Sequence, residues 1–498
     1  MRKSVQFTIA LLVILSMVLS ACGTPAAAPA AEAPAAVVEA PAAVEAPAAV
    51  EAPAAAEAPA AVEAPAAAKA VLNVWSFTNE IDTMAIAYEG KNPNVDVQYT
   101  MIPMTNGDYQ TKLLAALGTK DAPDVIALEA AFVKQYVEAD FLADLADLMP
   151  YAEANKTYAF VTDVGTYDGV IKAFAYQATP GALFYRRSLA KEYFGTDDPT
   201  EIQALLSDMD KYTAAAAVIK EKSAGATYMV ASSGDFQNPF FANRAQPWVV
   251  DGALVVDPMV NKYVETAKLF RDEGYEAQAQ QWQEGWFAGM NDSLVDANGN
   301  AKQVFSYFLP TWGLPYVLAP NAKSADGAHD TSGDWGVITG PLPYQWGGTW
   351  LGAIKDGKNM DLAKDFIRFA TLDQENLTNW ATGVYTNEYL KAIDPAVPES
   401  QMQAPGDFVS SQVVVEAITA SFDDSELSAF LAGQNSYAGF AAAAPSVNAK
   451  LMTGSDDAIQ RAMGDPLNQY LNGEISIDDM WSSWKTNLSI DFPDLIIN

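Results

Sequence analysis

Residues able to do covalent or acid–base chemistry are few and scattered in this 498-residue chain. There is one cysteine, Cys22, and one histidine, His329. Ser-His-Asp and Cys-His catalysis therefore lack material, and no zinc site can be assembled from His and Cys. His329 lies in Asp-Gly-Ala-His-Asp, a turn-like run that places it in solvent. Asp296-Ala-Asn-Gly-Asn300 faintly follows a calcium loop. However, Ala301 stands where the glycine belongs and Tyr307 where the bidentate Glu belongs, so a turn at Asn298-Gly299 is expected instead. Gly352 to Lys358 has P-loop spacing, but Asn359 replaces the magnesium-binding hydroxyl; a strand-to-helix turn is expected there, with Asp361 in the first helical turn. No catalytic residue, metal ligand or cofactor is assigned.

The positive signal is aromatic. Eleven tryptophans all lie beyond residue 74, and Trp282, Trp286, Trp312, Trp335, Trp346 and Trp350 fall within seventy positions of one another. Several adjoin Gly or Pro, where side chains tend to line surfaces. Aromatic faces pack on the apolar faces of sugar rings, while carboxylates and amides take the hydroxyls. Such sites are concave and mostly apolar, with a few placed polar groups. Any single Trp is more readily core than ligand-facing. The cluster as a whole predicts at least two that face a ligand.

The elements that would position these groups begin at Val71. The segment 71–77 reads as a buried strand, and Ile81, Met84, Ala85 and Tyr88 fall at helical spacing before Asn92-Pro93. Val95, Val97 and Tyr99 alternate as a second strand. Tyr109, Leu113, Leu114 and Leu117 make a helical face closed by Gly118. Residues 124–128 form a third strand and a helix follows to Val137. This alternation predicts an α/β fold with a mostly parallel sheet, whose ligands sit beyond the carboxyl ends of the strands. Those ends are Thr78-Asn79-Glu80, residues 101–106, and Glu129. Residues 214–222 and 264–270 read as helical and 236–248 as loop. The C-terminal third is mostly helical, including 362–369, 411–420 and 480–488.

The formal net charge is −33, of which the six glutamates of residues 23–68 supply a small part. So acidic a body repels nucleic acid and anionic headgroups and suits a neutral or cationic small ligand. Residues 23–68 are almost only Ala, Pro, Val and Glu. Glu39, Glu45, Glu51, Glu57 and Glu63 each begin an Ala-Pro-Ala-Ala repeat. The recurring prolines stop helix propagation, which predicts a semi-extended spacer on the order of 100 Å long. Ahead of it, Arg2 and Lys3 precede an apolar run, 5–18, that ends in Leu-Ser-Ala-Cys22, a secretory signal rather than a fold element. That sequence resembles a bacterial lipobox, which implies a signal peptide over 1–21, cleavage before Cys22, and lipid on its sulfur and new amine. With no second cysteine, no intrachain disulfide forms. About 430 residues remain beyond the spacer, enough for two domains.

In order and spacing, residues 71–498 resemble the extracellular solute-binding proteins of ABC importers, specifically the maltose-binding-like, carbohydrate-binding branch. The resemblance rests on the opening strand with its Glu80 loop, on Leu-Leu-Ala-Ala-Leu-Gly118 followed by Ala-Pro-Asp-Val-Ile126, and on Tyr167 to Arg187, with Tyr-Arg-Arg where the family has Tyr-Asn-Lys. It continues through Gly333 to Trp350 and the Ala-Lys helix of 359–371. It implies a two-lobed periplasmic-binding-protein-like fold with a ligand cleft between the lobes. The N-lobe would be 69–178 plus 342–385 and the C-lobe 179–341 plus 386–498. The ligand residues it implies are Asn79, Glu80, Glu129, Asp235, Phe240, Phe241, Trp312, Trp346, Trp350, Tyr437 and Phe440. It also implies a lipid-anchored, extracytoplasmic monomer that closes on a sugar or oligosaccharide and docks on permease subunits. A surface glycoside hydrolase, or the same fold holding a cationic ligand, is the alternative.

Overall fold

The computed structural model describes residues 68–399, 401, 407–421 and 425–497. The signal segment, Cys22 and the repeat lie outside them. The first strand, Ala70–Ser76 (β1), alternates: Leu72, Val74 and Ser76 are buried, while Val71 and Asn73 are exposed. The helix Glu80–Lys91 follows, with Ile81, Met84, Ala85 and Tyr88 on its buried side. Its acidic first turn and Lys91 in the last turn complement the helix dipole. Val95–Met101 (β2) and Val125–Glu129 (β3) flank β1 and run parallel to it.

Phe174–Ala175 (β4) is the last strand before the chain leaves for a second sheet. That sheet holds Gly181–Arg186 (β5), Thr227–Val230 (β6), Gln303–Pro310 (β7) and Trp335–Ile338 (β8), in the order β8-β5-β7-β6. The chain then returns as Thr349–Ala353 (β9), completing a first sheet ordered β2-β1-β3-β9-β4.

The expectation of a mostly parallel sheet holds for β1 to β3, and β6 and β7 of the second sheet are also parallel. β9 is antiparallel to both β3 and β4, and the second sheet has antiparallel pairs on both sides of β5. The reason is the route of the chain. Thr349 pairs with Glu129, so the returning strand enters at the carboxyl end of β3. Residues 176–180 and 339–348 thus cross between the sheets at the edge where ligands of open α/β sheets collect.

One core cluster fills the first sheet and continues onto Phe184, Tyr307 and Val337 of the second; another lies around Tyr212, Phe236, Tyr263 and Phe270. The tail contributes to both clusters. Leu390, Val414, Val415 and Ile418 join the first cluster, whereas Ile459, Met463, Met480 and Trp484 join the second. Gly90 makes the first docking possible: a Cβ there would meet Ile393 at 2.7 Å.

Residues 236–248, expected as loop, begin with helix instead. Ser232 and Asp235 form a capping box, and the helix Gln237–Ala242 follows. Phe236, Phe240 and Phe241 are buried along it, so aromatic burial overrides the Asn and Pro content.

Candidate functional site

Two pockets share the cleft between the lobes. The first, about 280 Å³, has Phe77, Thr78 and Glu80 beyond β1, Glu129 at the end of β3, Gln177, Gly347 and Gly348 on the crossovers, Thr349 at the start of β9, and Trp312 and Tyr316 beyond β7. The second, about 240 Å³, also contains Glu129 and Gly347, and extends past Trp346 to Phe241, Arg244 and Gln345.

Trp312 lies two residues past the end of β7, and after Gly313 the backbone winds into a π-helical turn, Leu314–Leu318. Such turns recur at functional sites because the extra residue re-aims a side chain. Here the turn carries Tyr316, which is partly exposed and lines the first pocket beside Trp312.

Three indoles meet at the mouth. Trp282 stacks on Trp312 with ring centroids 6.2 Å apart and planes 11° from parallel. Trp346 meets both edge-on, at 5.8 and 5.4 Å. The Trp312 indole N–H donates to the Trp346 carbonyl at 2.9 Å, which fixes its ring. Gly347 is required here. Its φ is +76°, and a Cβ would lie 2.6 Å from Trp312 Nε1. Trp282 is 47% exposed, so this cluster presents an aromatic face to solvent.

Glu80 is buried at the base of the first pocket. Tyr176 donates to one of its oxygens, Gln177 reaches that oxygen at 3.5 Å, and Tyr316 reaches the other at 3.5 Å. Gln177 also donates to Asp407 at 2.9 Å, and Trp380 donates to that same carboxylate at 3.0 Å. Burial first, and the nearby Asp407 charge second, push Glu80 up to about 8. Burial raises Asp407 as well. The pair therefore holds a proton near neutrality, which lets it donate as well as accept hydrogen bonds. Burial pushes Glu129 up to about 7, against the backbone N–H groups that it accepts, including that of Ala131 at 2.7 Å.

Of the residues expected at the site, the structure brings together Glu80, Glu129, Trp312 and Trp346, with Phe241 at the edge of the second pocket. Asn79 is exposed one position before the opening helix and lines neither pocket. The remaining five face inward. Asp235 is buried and accepts from Trp286 Nε1 at 2.9 Å and Gln281 at 3.2 Å. Its role is indirect, because Trp286 is the ring beneath Trp282, at 5.2 Å. Burial pushes Asp235 up to about 8. Phe240 packs on Phe236 and Tyr263 in the second core. Trp350 is 1% exposed and donates to the Val161 carbonyl at 3.0 Å, in the first core. Tyr437 donates to the Asp407 carbonyl, and Phe440 packs on Phe184 and Phe408. In each case the hydrophobic payload of the ring is spent on core packing, which leaves no face for a ligand.

Sequence reasoning missed Tyr316, Gln177, Arg244 and Gln345, and it did not single out Trp282, which lines neither pocket but stacks on Trp312. Tyr316 had a signal, an aromatic in Gly-Leu-Pro-Tyr just past a strand. The others are brought in by the crossovers and by tertiary packing. His329 is exposed in its turn, and Asp296 Oδ1 accepts from the Asn298 and Asn300 backbones, at 2.8 Å each. Among the described residues no group of His, Cys, Asp and Glu is arranged to hold a metal ion, and no helix is long and apolar enough to cross a membrane.

The fold is shared with solved solute-binding proteins. The galacto-N-biose-/lacto-N-biose I-binding protein of an ABC transporter from Bifidobacterium longum superposes with a TM-score of 0.61 at 16% identity, over 86% of this chain and 99% of that one. The sugar-binding protein MalE from Xanthomonas citri gives 0.61 at 17% identity, over 85% and 97%. An ABC transporter associated binding protein from B. animalis subsp. lactis, in complex with β-1,6-galactobiose, gives 0.58 at 19% identity, over 86% and 100%. No curated protein sequence matches the chain significantly. The family model for bacterial extracellular solute-binding proteins matches residues 83–408, well over half the chain. The two-lobed α/β fold with its cleft is thus that of a bacterial extracellular solute-binding protein, the family to which this chain belongs.

Proposed function

We propose that the protein captures a sugar or oligosaccharide in the cleft and delivers it to the permease of an ABC importer. The observation that carries this reading is the exposed indole cluster of Trp282, Trp312 and Trp346 at the mouth of a pocket based on Glu80 and Glu129. Ring faces take the apolar face of a pyranose; the carboxyl groups and Gln177 take its hydroxyls. The names of the Bifidobacterium and Xanthomonas proteins, which bind sugars, support the same class.

Closure is the mechanism that the topology favours. A ligand touching β1 and β3 on one side and the turn after β7 on the other gains contacts only when the lobes approach. It therefore shifts the population toward the closed form. The crossovers 176–180 and 339–348 are the hinge. Cys22 carries the lipid after signal cleavage, and the Ala/Pro/Glu spacer holds the lobes off the membrane on the extracytoplasmic side.

Calorimetric titration with a panel of mono- and oligosaccharides tests the reading. Saturable heat with the sugar recovered intact supports it. No response to any sugar overturns it. Consumption of the sugar would favour a hydrolase, for which Glu80 and Glu129 in one pocket supply the two carboxyl groups required.

A further inference from the structure

Several charged groups inside this molecule are matched. Arg186 takes Asp292 at 2.7 Å and Asp334 at 2.8 Å, Arg244 takes Asp456 at 2.8 Å, and Arg271 pairs with Glu276. Asp257 accepts from three backbone N–H groups instead. An unmatched buried charge is costly, which is why such partners are in place. Glu129 has less. It ends β3 partly exposed and lines both pockets, so the surface that it shows faces the cleft. The Ala131 N–H donates to it at 2.7 Å, but among the described residues no Lys, Arg or His pairs with it. The neighbouring charge that adds to the effect of burial is Asp457, of like sign. Among the described residues Arg244 is the only cation lining either pocket, and Asp456 already takes it.

We propose that the sugar taken by this cleft carries an amino group, whose ammonium pairs with Glu129 beside the indole rings. The inference rests on the carbohydrate reading above and deepens it. An ammonium supplies the charge that neither lobe provides, and its N–H groups make charge-assisted hydrogen bonds to the carboxylate. A hydroxyl brings a hydrogen bond but no charge, so closing the lobes over it would bury Glu129 further without a counter-charge. A carboxylate or phosphate on the sugar would meet Glu80, Glu129, Asp456 and Asp457 on the same walls. Trp312 lines the first pocket with Glu129 and Trp346 lines the second with it, and ring faces attract a cation as they do not attract a neutral group. The formal net charge of −33 draws in a ligand of this sign.

The test uses the full chain, titrated by calorimetry at neutral pH with three matched probes: glucose, N-acetylglucosamine and glucosamine, each also as its β-1,4-linked dimer. The three differ only in the hydroxyl, acetamide or amine on one ring carbon. The amine is expected to bind at least about tenfold more tightly than the other two. Added salt should weaken the amine and leave the neutral probes as they are. Glu129→Gln, which keeps the size and removes the charge, should abolish the preference, and Glu129→Asp, which keeps the charge, should retain it. A neutral probe that binds as tightly as its amine would overturn the inference and leave the carbohydrate reading standing. So would a preference for the amine that survives Glu129→Gln, or binding of other sugars but of none of these. Binding of putrescine but of no sugar would overturn the carbohydrate reading itself, and this inference with it, as would no binding of any sugar.

Discussion

Two tryptophan groups in this molecule are built alike and covered differently. Trp248, Trp481 and Trp484 meet at 5.8 and 5.5 Å in the second lobe, just as Trp282, Trp312 and Trp346 meet in the cleft. Both groups include an indole whose N–H is tied to a backbone carbonyl: Trp484 to Ile459, and Trp312 to Trp346. They differ in what covers them. Trp248 and Trp484 are fully buried, and Arg244 closes over Trp248. In the cleft group Trp312 and Trp346 are half-buried and Trp282 is exposed. An indole becomes a ligand platform when its neighbours hold its edge and leave its face open.

The comparison breaks most visibly by truncation. Trp484→Ala or Trp350→Ala should cost about 3–5 kcal/mol of stability, read by chemical denaturation, with little change in the affinity of the folded fraction. Trp312→Ala should do the opposite. Sugar affinity should fall about thirtyfold or more while the unfolding midpoint barely moves. Gly347→Ala sharpens the point without touching an aromatic. A Cβ at φ +76° would displace Trp312, and binding should weaken about tenfold, measured by the same titration. Asp235→Ala should destabilise by about 1–3 kcal/mol and weaken binding only modestly, since it acts through Trp286.

The smallest expected effect is a pH dependence at the base of the pocket. The folded Glu80 carboxyl titrates near 8 rather than at its ordinary value, because of burial and Asp407. A raised carboxyl pKa means that the folded state holds a proton which the unfolded state has released. Stability is therefore lost as pH rises from about 4.5 toward 8. Glu80→Gln mimics the protonated group. It should raise the melting temperature by a few degrees at pH 8, leave it unchanged near pH 4.5, and flatten the profile between. An unaltered slope would place the titrating group elsewhere.

Much of this was legible in the chain. Local periodicity carried β1 to β3 and the helices between them. The rule that ligands collect at carboxyl ends singled out Glu80 and Glu129, which line one pocket. The clustering of tryptophans predicted only that at least two of them face a ligand; the choice of Trp312 and Trp346 came from the family resemblance. What could not be read was burial. Trp350 is two residues beyond Gly348 and differs from Trp346 only in having entered β9, where its ring turns into the core. Asp235, Phe240, Tyr437 and Phe440 are likewise plausible by type, but the packing of 233–242 and 436–443 turns them inward. The division of the tail between the two core clusters was hidden for the same reason: an apolar helix face does not say which core it joins.

The most direct measurement is the access of a collisional quencher to tryptophan emission, with and without saturating amounts of whichever sugar binds. Sugar stacked on the cleft cluster should shield Trp282, Trp312 and Trp346, and the quenchable fraction of the emission should fall. Saturable binding with quencher access unchanged would place the sugar away from these rings and contradict the central claim.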